Sequence, residues 1–399
     1  MFYATVVLPA SLEARHAAKR LAGDLIPMLP TDIVMRMHHI VEADDLGLDV
    51  DNLARWMDER QLGAGSIRDV RRIGGGTQNI VVSLHRGDVQ YILRRPPLSG
   101  RPDGSKTILR EAAILRGLDE TAAVPHPPLL ATCEDTSVIG AAFYLMAPVR
   151  GFNPASDMPQ AIRNDAAFQR ALGFSMVDAV VELGKVDVTR APLAELGTAD
   201  GWLRRQLPRW IRRLSALDAI DGYVALPSDR VRPVVTWLED QHPTDEIVGL
   251  VHGDYHFANV IADEQRPVIN AIVDWELAGP GDPRIDIAHL VTTMCIETMP
   301  GLNDLRHATG LPSVEELLCH YTDRTGTDPA AMRWFRAFAC LRLATLLEET
   351  VGRSAAGHAN AALAQSFRRV TLGLLDQAEH VIDGRPYYRK DSQDEPATG

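Results

Sequence analysis

Three oxygen-bearing side chains set the chemistry to look for. Asp254 stands in the run Val251-His252-Gly253-Asp254-Tyr255-His256-Phe257-Ala258-Asn259-Val260, and Asp274 opens Asp274-Trp275-Glu276. One carboxylate can take a proton from a hydroxyl. An amide oxygen and a second carboxylate, from Asn259 and Asp274, can hold a divalent cation on phosphates. Phosphoryl transfer needs that set, because it asks for charge neutralisation and alignment and little covalent work from protein. Taken singly, each residue has a plainer reading, since Asp and Asn in loops commonly form turns or cap helices. The order and spacing of all three give the chemical reading its weight.

The elements around them must bring these groups together. Gly249-Leu250-Val251 reads as a strand leading into the Asp254 loop. Val260 to Ala262 and Val268 to Val273 read as a hairpin turning through Asp263-Glu264-Gln265-Arg266-Pro267, which returns Asp274 to the side of Asn259. Magnesium keeps several waters and takes few protein ligands, so Asn259 and Asp274 suffice as its ligands. Asp254 is assigned as the catalytic base.

Upstream the apolar period is two. Val70 to Ile73, Ile80 to Leu84 and Val89 to Leu93 read as strands. The glycine turn Gly74-Gly75-Gly76-Thr77-Gln78-Asn79 joins the first two. Asp51 to Leu62 and Ser105 to Leu118 have helical spacing, and Leu129 to Thr132 and Ala142 to Met146 add two more apolar runs. Five strands with one helix after the third is the order of a kinase N-lobe. After Gly151 the candidate helices are 165–184, 200–217, 228–241, 284–297, 313–324, 329–351 and 356–382, and Asp282 is the expected cap of the fourth.

The expectation is therefore an α+β chain of the protein-kinase-like kind, with a small antiparallel-sheet N-lobe (51–150) and a large, mainly helical C-lobe (151–383). A helical N-terminal extension (1–50) precedes them and a flexible tail (384–399) follows. The extension would dock on the main body or make a homodimer contact. Its His38, His39, Glu42 and Asp45 read as a solvated face rather than a metal cluster.

Composition narrows the classes. Apolar residues make up 46% of 399, which suits a folded globular chain. Lys+Arg number 41 against 53 Asp+Glu, a formal charge of -12, which argues against nucleic-acid partners and mildly favours a cationic substrate. Four cysteines without a C-x-x-C pair fit a reducing, cytoplasmic setting. No apolar run approaches a membrane span, and no basic residue precedes the apolar patch at the start, so neither a membrane partner nor a signal peptide is expected.

The H-G-D-x-x-x-x-N run from His252 to Asn259, with Asp274, resembles the aminoglycoside phosphotransferase and choline kinase family of small-molecule kinases. The resemblance covers roughly residues 50 to 380. Arg190 to Leu217, with Gly201-Trp202-Leu203-Arg204-Arg205-Gln206-Leu207-Pro208-Arg209-Trp210, is similar to the kinase domains found fused to acyl-CoA dehydrogenases. That subgroup implies hydroxyacyl-CoA acceptors. The wider family implies aminoglycosides, macrolides or other small-molecule alcohols. Both imply Mg²⁺ and ATP, with GTP as the alternative donor.

Laying the family fold on the chain assigns further roles. Gly74, Gly75 and Gly76 would let backbone approach the ATP phosphates. Glu111 would orient a phosphate-binding base, and Met146 and Val149 would line and bind adenine. His256 falls where protein kinases carry a lysine that touches the transferred phosphate. His252 reads as a structural brace, and Asp286 matches an acidic residue that holds the catalytic loop. The chain departs at the third strand, Tyr91-Ile92-Leu93-Arg94-Arg95, where Arg94 stands in the lysine's place. An Arg–Glu pair could still grip phosphate, through a planar fork. The bland reading of Arg94 and Arg95 is a solvated strand end.

The leading function is thus an ATP-dependent O-phosphotransferase acting on a hydroxyl. A catalytically weak, nucleotide-binding pseudokinase serving as an interaction module comes second, motivated by the missing lysine. A metal-dependent phosphoesterase comes third, because it lacks the dense carboxylate and histidine set of a two-metal site.

Overall fold

The computed structural model describes residues 46–73, 79–98, 103–121, 123–296, 305 and 308–385. The expected helices of residues 11–45, the Gly74–Gly76 turn and the tail from 386 lie outside the described residues. The chain divides into two compact units: residues 1–100 with 135–141, and residues 101–134 with 142–399.

The first unit holds helix α1 (Val50–Asp58) and an antiparallel meander of β1 (Ile67–Ile73), β2 (Ile80–Arg86) and β3 (Val89–Arg95). Asp49 starts α1 by accepting the Asn52 N–H at 2.9 Å. The expected run to Leu62 stops four residues early. Gln61 ends it by taking a left-handed φ of 56, with the Leu62 N–H turned back onto the Met57 carbonyl at 3.0 Å. Arg86 is buried beside this end and donates to the carbonyls of Ala54 (3.0 Å) and Gly65 (3.1 Å) while pairing with Asp58. A buried guanidinium must find acceptors, and the end of α1 supplies them. Gly87, at φ 58, allows the two-residue Gly87-Asp88 turn between β2 and β3. Arg94 and Arg95 are not a solvated strand end, since both are buried. Arg95 donates to the carbonyls of Pro96 (2.9 Å) and Leu46.

The second unit opens with α2 (Gly104–Asp119) and a hairpin of β4 (Leu129–Cys133) and β5 (Phe143–Met146). Helices α3 (Ala166–Gly184), α4 (Trp202–Ala216) and α5 (Ser228–Asp240) follow. Next come four short strands: β6 (Gly249–Val251), β7 (Val260–Ala262), β8 (Ile269–Ile272) and β9 (Gly279–Gly281). β7 pairs with β8, as the hairpin pattern implies, and β6 pairs with β9. Helices α6 (Arg284–Met294), α7 (Val314–Thr325), α8 (Met332–Ala355) and α9 (Ala361–Ile382) complete it.

α6 and α8 are buried on nearly every face, and α8 packs on α9, α6 and α4. Buried this far round, they lie in the middle of the core, and their charged residues Asp286, His289 and Arg342 form the floor under the Asp254 loop. The helix expected over 356–382 begins only at Ala361. Gly357 takes a φ of 77, and the Asn360 side chain accepts the Leu363 N–H at 3.0 Å, which restarts the helix. Asp282 does not cap α6 in the ordinary way. It accepts the Arg284 N–H at 3.1 Å and grips the Arg284 guanidinium at 2.6 Å. No described helix is long and apolar enough to cross a membrane.

Candidate active site

β6 delivers the chain to Gly253, whose φ of 83 suits glycine and whose added Cβ would meet the Leu277 carbonyl at 2.7 Å. The turn at Gly253 exposes two backbone N–H groups to the interior. Asp286, fully buried on the first turn of α6, answers both: its carboxylate accepts from His252 at 2.7 Å and from Gly253 at 2.8 Å. Burial pushes the Asp286 carboxyl up to about 7, against the pull of those two N–H donors and of Arg342. Arg342 reaches in from α8 and donates Nη2 to the Gly253 carbonyl.

His252 ties the loop to the next strand. Its Nδ1 accepts the Asp254 N–H at 3.2 Å, so its proton sits on Nε2, which donates to the Val273 carbonyl at 3.0 Å. The Val273 N–H in turn donates to the Asn259 carbonyl at 2.9 Å. This ladder sets the residue after Val273, Asp274, next to Asn259. Asp274 turns the chain at φ 68, a left-handed position that Asp tolerates better than bulkier residues.

The Asp254 side chain is 33% exposed, open to an incoming molecule. Its Oδ2 accepts from Asn259 Nδ2 at 3.2 Å and lies 3.6 Å from His256 Nε2, and its Oδ1 lies 3.1 Å from His289 Nε2. Partial burial works against its charge, but His256 and then His289 more than offset this, leaving the carboxyl well below the usual carboxylate range. His289 is itself buried, and that burial drops it to about 4 despite its contact with Asp254. It is neutral at physiological pH. His256 accepts the Ala258 N–H on Nδ1 at 3.1 Å, which directs Nε2–H toward Asp254.

Two sets of groups could hold a metal. Asp254, His256 and His289 offer mixed nitrogen and oxygen atoms within 4.8 Å of one another. Asn259 and Asp274 offer oxygen alone. Asn259 spends its amide nitrogen on the Asp254 carbonyl at 2.9 Å, and its Oδ1 accepts from no described residue. Mg²⁺ prefers hard oxygen donors, so the Asn259–Asp274 pair fits it and the histidine set does not.

The structure thus gathers Asp254, His256, Asn259 and Asp274 on one loop and hairpin. Glu111 is buried on α2 and accepts the Tyr144 hydroxyl at 3.0 Å. Met146 is half-buried against the core of the second unit. The Ala147 N–H is spent on the Pro128 carbonyl at 2.9 Å, whereas the N–H and carbonyl of Val149 bond to no described residue. Arg94 lies in the first unit and Gly74–Gly76 outside the described residues. Sequence reasoning missed His289 and Arg342. His289 had a signal, since it sits one helical turn after Asp286; Arg342 had none.

The chain matches the model of the phosphotransferase enzyme family over residues 69–335, and it belongs to that family. It is 30% identical over 327 residues to acyl-CoA dehydrogenase family member 11 of Rattus norvegicus, covering 78% of this chain and 40% of that protein. The chain spans well under half the length of the curated relatives it matches. A solved structure from Ralstonia eutropha JMP134, described as a candidate aminoglycoside phosphotransferase, superposes with a TM-score of 0.70. It is 24% identical and covers 84% of this chain and 99% of that one. A thermostable mutant of aminoglycoside phosphotransferase APH(4)-Ia, in complex with ADP and hygromycin B, gives 0.52 at 15% identity, over 82% and 98%. The α+β, protein-kinase-like fold is therefore this chain's fold.

Proposed function

We propose that this member of the phosphotransferase enzyme family moves the terminal phosphoryl group of ATP to a hydroxyl of a small-molecule acceptor. The observation that carries the reading is Asp254: ionised, open to solvent, hydrogen-bonded to Asn259, and set in a loop that Asp286 clamps. The acceptor hydroxyl would donate to the Asp254 carboxylate. Its oxygen then bonds to the γ-phosphorus while the bond to the β–γ bridging oxygen breaks, and the departing ADP keeps that electron pair. The hydroxyl proton passes to Asp254, which returns it to water. A carboxylate this acidic is a weak base, so its main service is orientation, with proton transfer late in the reaction.

Mg²⁺, when bound, neutralises charge on the phosphates; Asn259 Oδ1 and Asp274 are the residues that would hold it. His256 and His289 keep Asp254 ionised. Gly74, Gly75, Gly76, Arg94, Glu111, Met146 and Val149 are proposed to serve the nucleotide, within residues 51–150, and the helical region 151–383 to serve catalysis and the acceptor. The relatives' name makes hydroxyacyl-CoA thioesters the first acceptors to try, and the ADP–hygromycin B complex of a neighbour makes aminoglycosides the second. A cytoplasmic location agrees with four free cysteines, two of them buried.

The test is a magnesium-dependent nucleotide-consumption screen with ATP and GTP against hydroxyacyl-CoAs, aminoglycosides, macrolides and amino alcohols. Acceptor-stimulated turnover that vanishes in Asp254→Ala supports the reading, and full turnover in that variant sinks it. Arg94 at the lysine position favours one rival, a nucleotide-binding pseudokinase. That rival predicts bound nucleotide and no acceptor stimulation.

A further inference from the structure

A cavity of about 230 Å³ opens directly beside the catalytic loop. Gly253, the residue before Asp254, forms part of its wall, as do Leu277 to Pro280 and one face of α4. Four arginines line it (Arg110, Arg209, Arg213 and Arg342), and no Asp or Glu among the described residues does. In a chain whose overall charge is -12, this is a local reversal of sign.

The four are not equivalent. Arg110 is tied to the carbonyls of Leu196 and Ala278, at 2.7 and 2.8 Å. Arg213 is neutralised by a two-pronged pair with Glu349, at 2.7 and 2.8 Å. Arg209 makes no ion pair among the described residues. Arg342 is only 6% exposed; it gives Nη2 to the Gly253 carbonyl, and its Nη1 has no partner among the described residues. Asp254 and Asp286 face Arg342 at longer range, and Arg213 and Arg209 oppose it. Trp210 stands between: its ring centre lies 4.3 Å from the Arg213 guanidinium and 5.0 Å from that of Arg342. Its own buried indole N–H also lacks a partner among the described residues.

Buried donors left unanswered cost stability, and charged ones cost more. Two such donors on one cavity wall, with an uncompensated cation at the rim, describe a site completed by an anion. We propose that this cavity seats an anionic group of the acceptor, a carboxylate or a phosphoryl group, held by Arg342, Arg209 and the Trp210 indole N–H. The phosphorylated hydroxyl would then lie at Asp254, and the preferred acceptors are acidic alcohols rather than polycations. This rests on the phosphotransferase reading for its second half and on the cavity alone for its first.

The experiment is a thermal-shift titration of the full chain, saturated with Mg²⁺ and AMP-PNP, with inorganic phosphate, acetate and spermidine in separate arms. A saturable rise in Tm with phosphate, acetate or both is expected, and none with spermidine. The phosphate and acetate arms tell a phosphoryl from a carboxylate ligand. Arg209→Ala, at an exposed position, should weaken the apparent anion affinity by roughly tenfold, and Arg342→Gln by more. If Arg342→Gln fails to fold, Arg209→Ala decides. Unchanged anion affinity in Arg209→Ala, or no anion response in the wild type, overturns the proposal. Asp254→Ala should keep the anion response while losing transfer. An intact anion response with full transfer in that variant would overturn the kinase reading and leave the cavity standing.

Discussion

The Asp254 loop and the arginine-lined cavity meet at Gly253, and they treat charge in opposite ways. On the loop side the carboxylates of Asp286 and Asp254 are answered from within the protein, although the buried His289 Nδ1 has no hydrogen-bond partner among the described residues. Asp286 takes two backbone N–H groups, and Asp254 is flanked by His256, His289 and Asn259. On the cavity side Arg342 Nη1 and the Trp210 indole N–H are buried and unanswered among the described residues. A carboxylate held by several donors is fixed in one geometry, whereas a buried donor without an acceptor stores a cost that a partner can relieve. The loop is thus built for alignment before anything binds, and the cavity for recognition.

The hardest blow to the loop side is Asp254→Ala. It should lower acceptor turnover by about a thousandfold, near 4 kcal/mol of transition-state stabilisation, with nucleotide affinity kept. Steady-state kinetics beside a nucleotide-binding titration checks this, and a small loss would erase the contrast between aligned loop and receptive cavity.

Next is Asp286→Ala. It leaves the buried His252 and Gly253 N–H groups without acceptors and should cost about 2–4 kcal/mol of stability, read by urea unfolding. A loss confined to catalysis would mean that the loop holds its shape without the clamp.

The smallest effect is on pH. Native Asp286 keeps a proton up to about 7 that the unfolded chain gives up near 4. Its contribution is therefore full below about 4 and declines as pH rises to 7. Native His289 refuses a proton down to about 4 that the unfolded chain binds near 6.5. Its contribution is full above about 6.5 and declines as pH falls. Between about 4 and 6.5 the two slopes oppose each other. His289→Gln should leave stability falling with rising pH in that window, and Asp286→Asn should leave it rising. Parallel slopes in the two variants would contradict the assignment.

The loop side was also the legible side. Asp254, Asn259 and Asp274 are close in sequence, and their chemistry demands that spacing. The β7–β8 hairpin and most helices followed from period two and period 3.6. What was hidden depends on tertiary contact. β9 is Gly279-Pro280-Gly281, with no strand propensity of its own, and it exists because β6 lies beside it. α1 is the local exception: it stops early because Gln61 takes a left-handed backbone, a stop that glycine would have signalled and glutamine does not. Arg209 and Trp210 stood in a run noted only for its resemblance, and nothing in local pattern marked Arg342 as their neighbour. The cavity's donors come from α4 and α8, far apart in the chain, and a net acidic composition pointed the other way.

Arg342 also puts a clock on the loop. The carbonyl it binds, at Gly253, lies 89 residues earlier in the chain. At ribosomal rates of about 5–20 residues per second, the Asp254 segment leaves the peptidyl-transferase centre roughly 4–18 s before the arginine that secures it is even polymerised. A nascent chain stalled in that interval carries the whole His252–Asn259 motif and lacks one of its ties. Assembly of the motif is therefore a late event in the life of the chain, finished from the C-terminal side.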